Sequence, residues 1–148
     1  MTNEAFIAQN KDADVKALAL SKVPDGINLR YCLQQIVGRQ AAEKKLPSWT
    51  KIEGVVYPAK LSMEQCSSEQ TACYKHQLVK RLLPKGRQKM VDLTGGFGID
   101  FSFLAKLFEE ADYVEQNETL CEIARHNFPL LGLKKAMVHN KTCEDFLD

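Results

Sequence analysis

The sequence predicts an α/β protein in which a mostly helical region, residues 1–88, precedes the first half of a doubly wound parallel sheet, residues 89–148. Three observations carry that prediction. Apolar residues before residue 88 recur at helical spacing, short apolar strands alternate with amphipathic helices after it, and a glycine-rich turn joins the first strand to its helix. Such alternation implies parallel strands joined by right-handed crossovers.

In the first region, Leu29, Leu33, Ile36, Val37 and Ala41 fall on one helical face, with Arg30, Gln34, Gln35 and Arg39 between them. An earlier helix includes Val15, Leu18 and Ala19. Pro24 and the Asp25-Gly26 pair separate the two, so they can pack as a hairpin. Pro47 and Pro58 bracket a stretch that reads as loop or short extended chain. Both Ser62-Met-Glu-Gln65 and Ser67-Ser-Glu-Gln70 fit the capping-box pattern, in which a hydroxyl and a carboxamide satisfy free N–H groups at a helix start. A helix over about 67–83 follows, stopped by Pro84 and Gly86. Beyond residue 88 the pattern predicts strands at about 89–93, 111–115 and 136–140, with helices at about 99–108 and 118–127 between them.

Composition excludes several classes. The 20 basic and 19 acidic residues leave a net charge of +1, so no global field recruits nucleic acid or an anionic membrane. No apolar run approaches the roughly 18 residues of a membrane span, and the N-terminus lacks a basic-then-apolar leader pattern. A cytoplasmic location and no membrane partner are expected. Five cysteines, Cys32, Cys66, Cys73, Cys121 and Cys143, form an odd set without a C-x-x-C pair, which argues against disulfides and zinc and for reduced thiols.

The informative segment is Val91-Asp-Leu-Thr-Gly-Gly-Phe-Gly-Ile-Asp100. Gly95, Gly96 and Gly98 can adopt positive φ and let a ligand approach the backbone, and Asp100 stands where it can cap the following helix. The dinucleotide fingerprint G-x-G-x-x-G fails, because Phe101 occupies the third glycine position, and this disfavours an NAD-dependent oxidoreductase. No Gly-Lys-Ser/Thr follows, so the phosphate-binding loop of nucleotide hydrolases is absent too. Glu115 ends the second predicted strand 17 residues beyond Gly98, where one carboxylate can accept from paired ribose hydroxyls.

This segment resembles motif I of class I S-adenosylmethionine-dependent methyltransferases. Its Asp-x-Thr-x-Gly-x-Gly-x-Asp form is similar to that of the 16S rRNA guanine-N2 and THUMP-like methyltransferases. The commoner form has glycine where Thr94 stands. Cys121-Glu-Ile-Ala-Arg-His-Asn-Phe-Pro-Leu-Leu-Gly132 and Leu61-Ser-Met-Glu-Gln-Cys-Ser-Ser-Glu-Gln-Thr-Ala-Cys-Tyr-Lys75 resemble stretches of the same family. The resemblance implies a Rossmann-like methyltransferase sheet with S-adenosylmethionine as cofactor. Asp92 would lie near the methionine ammonium, the backbone from Thr94 through Gly95, Gly96, Phe97 and Gly98 would run along the cofactor, and Glu115 would hold the ribose. Thr142 takes the place of the acid that contacts the adenine amino group. Asn127 is expected to cap or stabilise its loop, His126 to be structural, and residues 61–75 either to close over the pocket or to form a solvated helix face.

Between Lys75 and Lys89 stand six Lys or Arg residues, one His and no acid. Such a stretch can follow an RNA backbone, and it can equally be a solvated helix face. The chain stops soon after its third predicted strand, with no Asn/Asp-Pro-Pro element. The expectation is therefore a truncated cofactor-binding portion whose catalytic residues lie elsewhere, with weak or no cofactor binding of its own. An exposed sheet edge would favour dimerisation. A non-catalytic interaction module that keeps the same fold is the alternative.

Overall fold

A computed structural model describes residues 1–148. The helices before the sheet are α1 (Asn3–Gln9), α2 (Val15–Ala19), α3 (Leu29–Lys45), α4 (Pro47–Thr50), α5 (Lys60–Gln65) and α6 (Glu69–Leu82). Then follow β1 (Lys89–Asp92), α7 (Ile99–Ala105), β2 (Glu110–Glu115), α8 (Glu118–Leu130), β3 (Ala136–Asn140) and α9 (Cys143–Leu147).

Local chemistry sets the helix starts. Thr2, Asp14 and Asn28 accept hydrogen bonds from first-turn N–H groups of α1, α2 and α3. Helix α1 has a single buried residue, Phe6, too little apolar pattern to be read from sequence. The expected loop after Pro47 begins instead with the helical turn α4. Proline suits a first helical position because its missing N–H needs no partner there, and Trp49 anchors the turn at 3% exposure. Neither predicted capping box forms as written. Ser62 lies inside α5, and Ser68 rather than Ser67 caps α6, accepting from the Thr71 N–H at 3.1 Å.

The strands form one parallel sheet in the order β1-β2-β3. Asp92, Tyr113 and Val138 stand in one row across it, and Val91, Asp112 and Met137 in the next. Helices α7 and α8 cover the face that carries Tyr113. Phe101, Tyr113 and Phe128 meet there, with ring centroids 5.1–5.6 Å apart. Burying a phenylalanine of this kind contributes about 1.5–3 kcal/mol. On the opposite face Asp112 bonds Lys89 at 3.3 Å and His139 at 3.0 Å, and Phe146 of α9 packs on His139. Val91 and Met137 are exposed, and β1 has a strand on one side only.

The hydrophobic core runs across residue 88 without a break, joining Trp49, Tyr57, Met63 and Ala72 to Phe97, Phe101, Tyr113 and Phe128. An irregular strap, residues 54–58, bridges α3 and α8. Gln35 accepts from the Tyr57 N–H at 2.8 Å and donates to the Tyr57 carbonyl at 3.0 Å. Asn127 does the same for Val56, at 2.9 and 2.8 Å, and His126 donates to the Gly54 carbonyl at 2.7 Å. Two side-chain amides thus act as the neighbouring strand that this segment lacks. Asn127 fixes the strap rather than its own loop. The five cysteines are free, and no helix is long and apolar enough to cross a membrane.

Candidate functional site

A cleft of about 330 Å³ opens at the carboxyl end of β1, where a parallel sheet presents its loops to ligands. The turn after β1 shapes it. The Gly95 N–H donates to the Val114 carbonyl at 2.8 Å, and the Gly98 N–H to the Gly95 carbonyl at 3.0 Å. Gly96 and Gly98 have φ of 57° and 87°, left-handed values that a Cβ disfavours. Gly95 does not share that geometry, and its requirement is space, since a Cβ there would overlap the Tyr113 ring. The Tyr113 hydroxyl donates to the Gly96 carbonyl, so β2 braces the turn from below. Burial first, and then the charges of Cys121, Glu115 and Asp92, push the Tyr113 phenol far up, so it remains a donor.

Glu115 braces the same turn from the side. One carboxylate oxygen accepts from the Gly96 N–H at 3.1 Å and the other from the Asn117 N–H at 2.6 Å. Asp92 accepts from the Thr94 N–H at 3.0 Å. Burial, with the neighbouring negative charges of Asp100 and Glu115, holds its carboxyl above the usual range, against the opposing effects of that hydrogen bond and Lys75. The cleft is electronegative.

Asp100 does not cap α7. Gly98 occupies the N-cap position and makes no side-chain cap, while Asp100 pairs with Lys75 at 2.9 Å and accepts from the Ser67 hydroxyl at 3.0 Å. Its second oxygen, Oδ1, is buried without a partner. Through these bonds the α5–α6 junction is fastened over the glycine turn, and Ser62, Gln65, Cys66 and Ser67 line the cleft. Burial raises the Cys66 thiol, only partly offset by Lys45, which keeps it protonated rather than nucleophilic.

The structure brings Asp92, Thr94, Gly95, Gly96, Phe97, Gly98, Asp100 and Glu115 together around this cleft. The Phe97 ring itself is buried between Trp49, 5.2 Å away, and Tyr57, 6.2 Å away. Thr142 is not among the lining residues, and its hydroxyl accepts from the Asp145 N–H to cap α9. Ile99, at an unspecified position of the glycine motif, and Leu120, outside any motif, also line the cleft. Lys75 and Lys89, at the ends of the basic stretch, are engaged with acids, whereas Lys80, Arg81 and Lys85 stay exposed and unpaired.

A three-stranded parallel sheet with a glycine turn and an acid at the end of each of its first two strands is a Rossmann-like arrangement, and its likeness to a solved structure makes the fold methyltransferase-like. No family model and no curated protein matches the chain. Among solved structures, the crystal structure of a "putative methyltransferase" from Porphyromonas gingivalis W83 is similar over 98% of this chain, at 30% identity and a TM-score of 0.76. The chain spans 36% of that protein.

Proposed function

We propose that the cleft binds S-adenosylmethionine and that the chain is the cofactor-binding portion of a methyltransferase acting on RNA. The observation that carries this reading is the sign of the charge. Asp92, Asp100 and Glu115 face one small cleft, and Lys75 pairs with Asp100 alone, which leaves Asp92 and Glu115 without a cationic partner. A ligand with a sulfonium and an ammonium group is attracted there, whereas a pyrophosphate would meet carboxylates where it needs donors. Asp92, unfavourably charged in the free protein, gains a counter-ion from the ligand ammonium.

Glu115 fits the ribose. A carboxylate offers about four acceptor positions, and Gly96 and Asn117 use two of them, which leaves two for a pair of hydroxyls. Gly96 leaves room for a close approach, since a Cβ there would meet nothing nearer than the Thr94 oxygen at 3.9 Å. When bound, the cofactor supplies an electrophilic methyl group. The chain's own residues fix its orientation. An RNA substrate is supported by exposed Lys80, Arg81 and Lys85 and by the surroundings of His76. Burial, and then the positive charges of Lys80, Lys106 and Arg87, lower that imidazole.

Calorimetric titration with S-adenosylmethionine, and with uncharged-sulfur S-adenosylhomocysteine beside it, tests the proposal. Glu115→Ala is expected to weaken binding by at least about tenfold, or 1.4 kcal/mol. Equal affinity for parent and variant would remove Glu115 from the site.

A further inference from the structure

A second cavity, of about 520 Å³, lies between α1, α3 and the strap, and it shares no lining residue with the cleft. Tyr31, Gln35 and Arg39 line it from α3, spaced four residues apart and therefore on one helical face. Gln35 spends its amide on the Tyr57 backbone. Arg39 does not: it makes no ion pair, and its Nε is buried without a hydrogen-bond partner. A partly desolvated guanidinium left unpaired is costly, and one that faces a cavity can be satisfied from that cavity.

The rest of the lining says what kind of molecule would do so. Ile7, Ala8, Val55 and Val56 offer apolar surface, and Tyr31 and Tyr57 add aromatic walls. Glu4, Glu53 and Lys11 also line the cavity, yet all three are exposed and neither glutamate pairs with Arg39, which leaves Arg39 as its partly buried cation. A planar guanidinium matches a carboxylate or a phosphate with two parallel hydrogen bonds. We propose that this cavity is a second binding site, for a small organic anion with an apolar body and a carboxylate or phosphate group, and that Arg39 is its anion-binding residue. The proposal does not depend on the cofactor reading of the cleft.

Phenylacetate, phenyl phosphate and the neutral 2-phenylethanol are titrated into the ¹⁵N-labelled chain, and the amide shifts of Gly54, Val55, Tyr57 and His126 are followed. At least one anion is expected to shift these amides saturably, about tenfold or more tighter than the alcohol. A response to phenylacetate alone assigns a carboxylate ligand, and a response to phenyl phosphate assigns a phosphate. Arg39→Gln is expected to abolish the response. Should that variant fail to fold, Ala8→Trp, at an exposed position of α1, fills the cavity instead and is expected to block the probe. Excess S-adenosylhomocysteine leaves the shifts in place. Silence of both anions, equal binding of the alcohol, full binding by a folded Arg39→Gln or an Ala8→Trp variant, or displacement by S-adenosylhomocysteine would each overturn the proposal.

Discussion

Replacing Asn127 with alanine tests whether the strap is held as the structure describes. Asn127 is 1% exposed and gives both halves of its amide to Val56. Truncation leaves the Val56 N–H and C=O without partners, and each orphaned group costs about 1–3 kcal/mol. Val56 is half-buried, so water can reach it in part and the lower range applies: about 2–4 kcal/mol in total. At this chain length that is a fall in Tm of about 4–16 °C. Urea unfolding followed by circular dichroism measures it, with the slope m unchanged if the unfolded state is unaffected. Asn127→Asp is expected to do no better, because its second oxygen faces the Val56 carbonyl. A loss within about 0.5 kcal/mol, the range of ordinary surface substitutions, would refute the clamp.

Asp92 and the basic stretch give two further predictions. The folded-state pKa of Asp92 is raised, so its contribution is fully favourable below the unfolded value near 3.8 and is lost as pH rises through the folded value. Asp92→Asn keeps an acceptor for the Thr94 N–H and removes the charge. It is therefore expected to be more stable than the parent at neutral pH, to converge with it in acid, and to bind S-adenosylmethionine less well; a parent more stable than the variant at pH 7 would contradict this. Replacing Lys80, Arg81 and Lys85 with glutamine is expected to reduce the slope of log affinity against log salt for single-stranded RNA by about 2, from about 0.7 per lost phosphate contact. An unchanged slope would take this surface out of RNA binding.

The parts of the fold legible in the sequence are those fixed by neighbours along the chain. The glycine turn, the acids at Asp92 and Glu115 and the strand–helix alternation depend on local spacing, and they stand together around the cleft. Capping was less legible, because Ser67 and Ser68 offer the same hydroxyl. Only the tertiary demand of Asp100, 33 residues away, draws Ser67 out of the cap and leaves Ser68 to fill it. The Lys75–Asp100 pair and the amide clamps of Gln35 and Asn127 are likewise contacts between residues far apart along the chain. A glutamine on a helix reads as surface, and nothing in its neighbours says that it will meet the backbone of a strap 22 residues on. The cavity beside Arg39 has the same origin, since its walls come from four separate segments.

On the proposed reading, the cleft selects a cationic cofactor by its charge. Amide shifts of the ¹⁵N-labelled chain during parallel titrations with S-adenosylmethionine and NADH address it most directly. S-adenosylmethionine is expected to shift Gly95, Gly96, Gly98 and Glu115 while NADH leaves them in place. Shifts of these residues by NADH, or none with S-adenosylmethionine at about 1 mM, where binding as weak as 4 kcal/mol still registers, would contradict it.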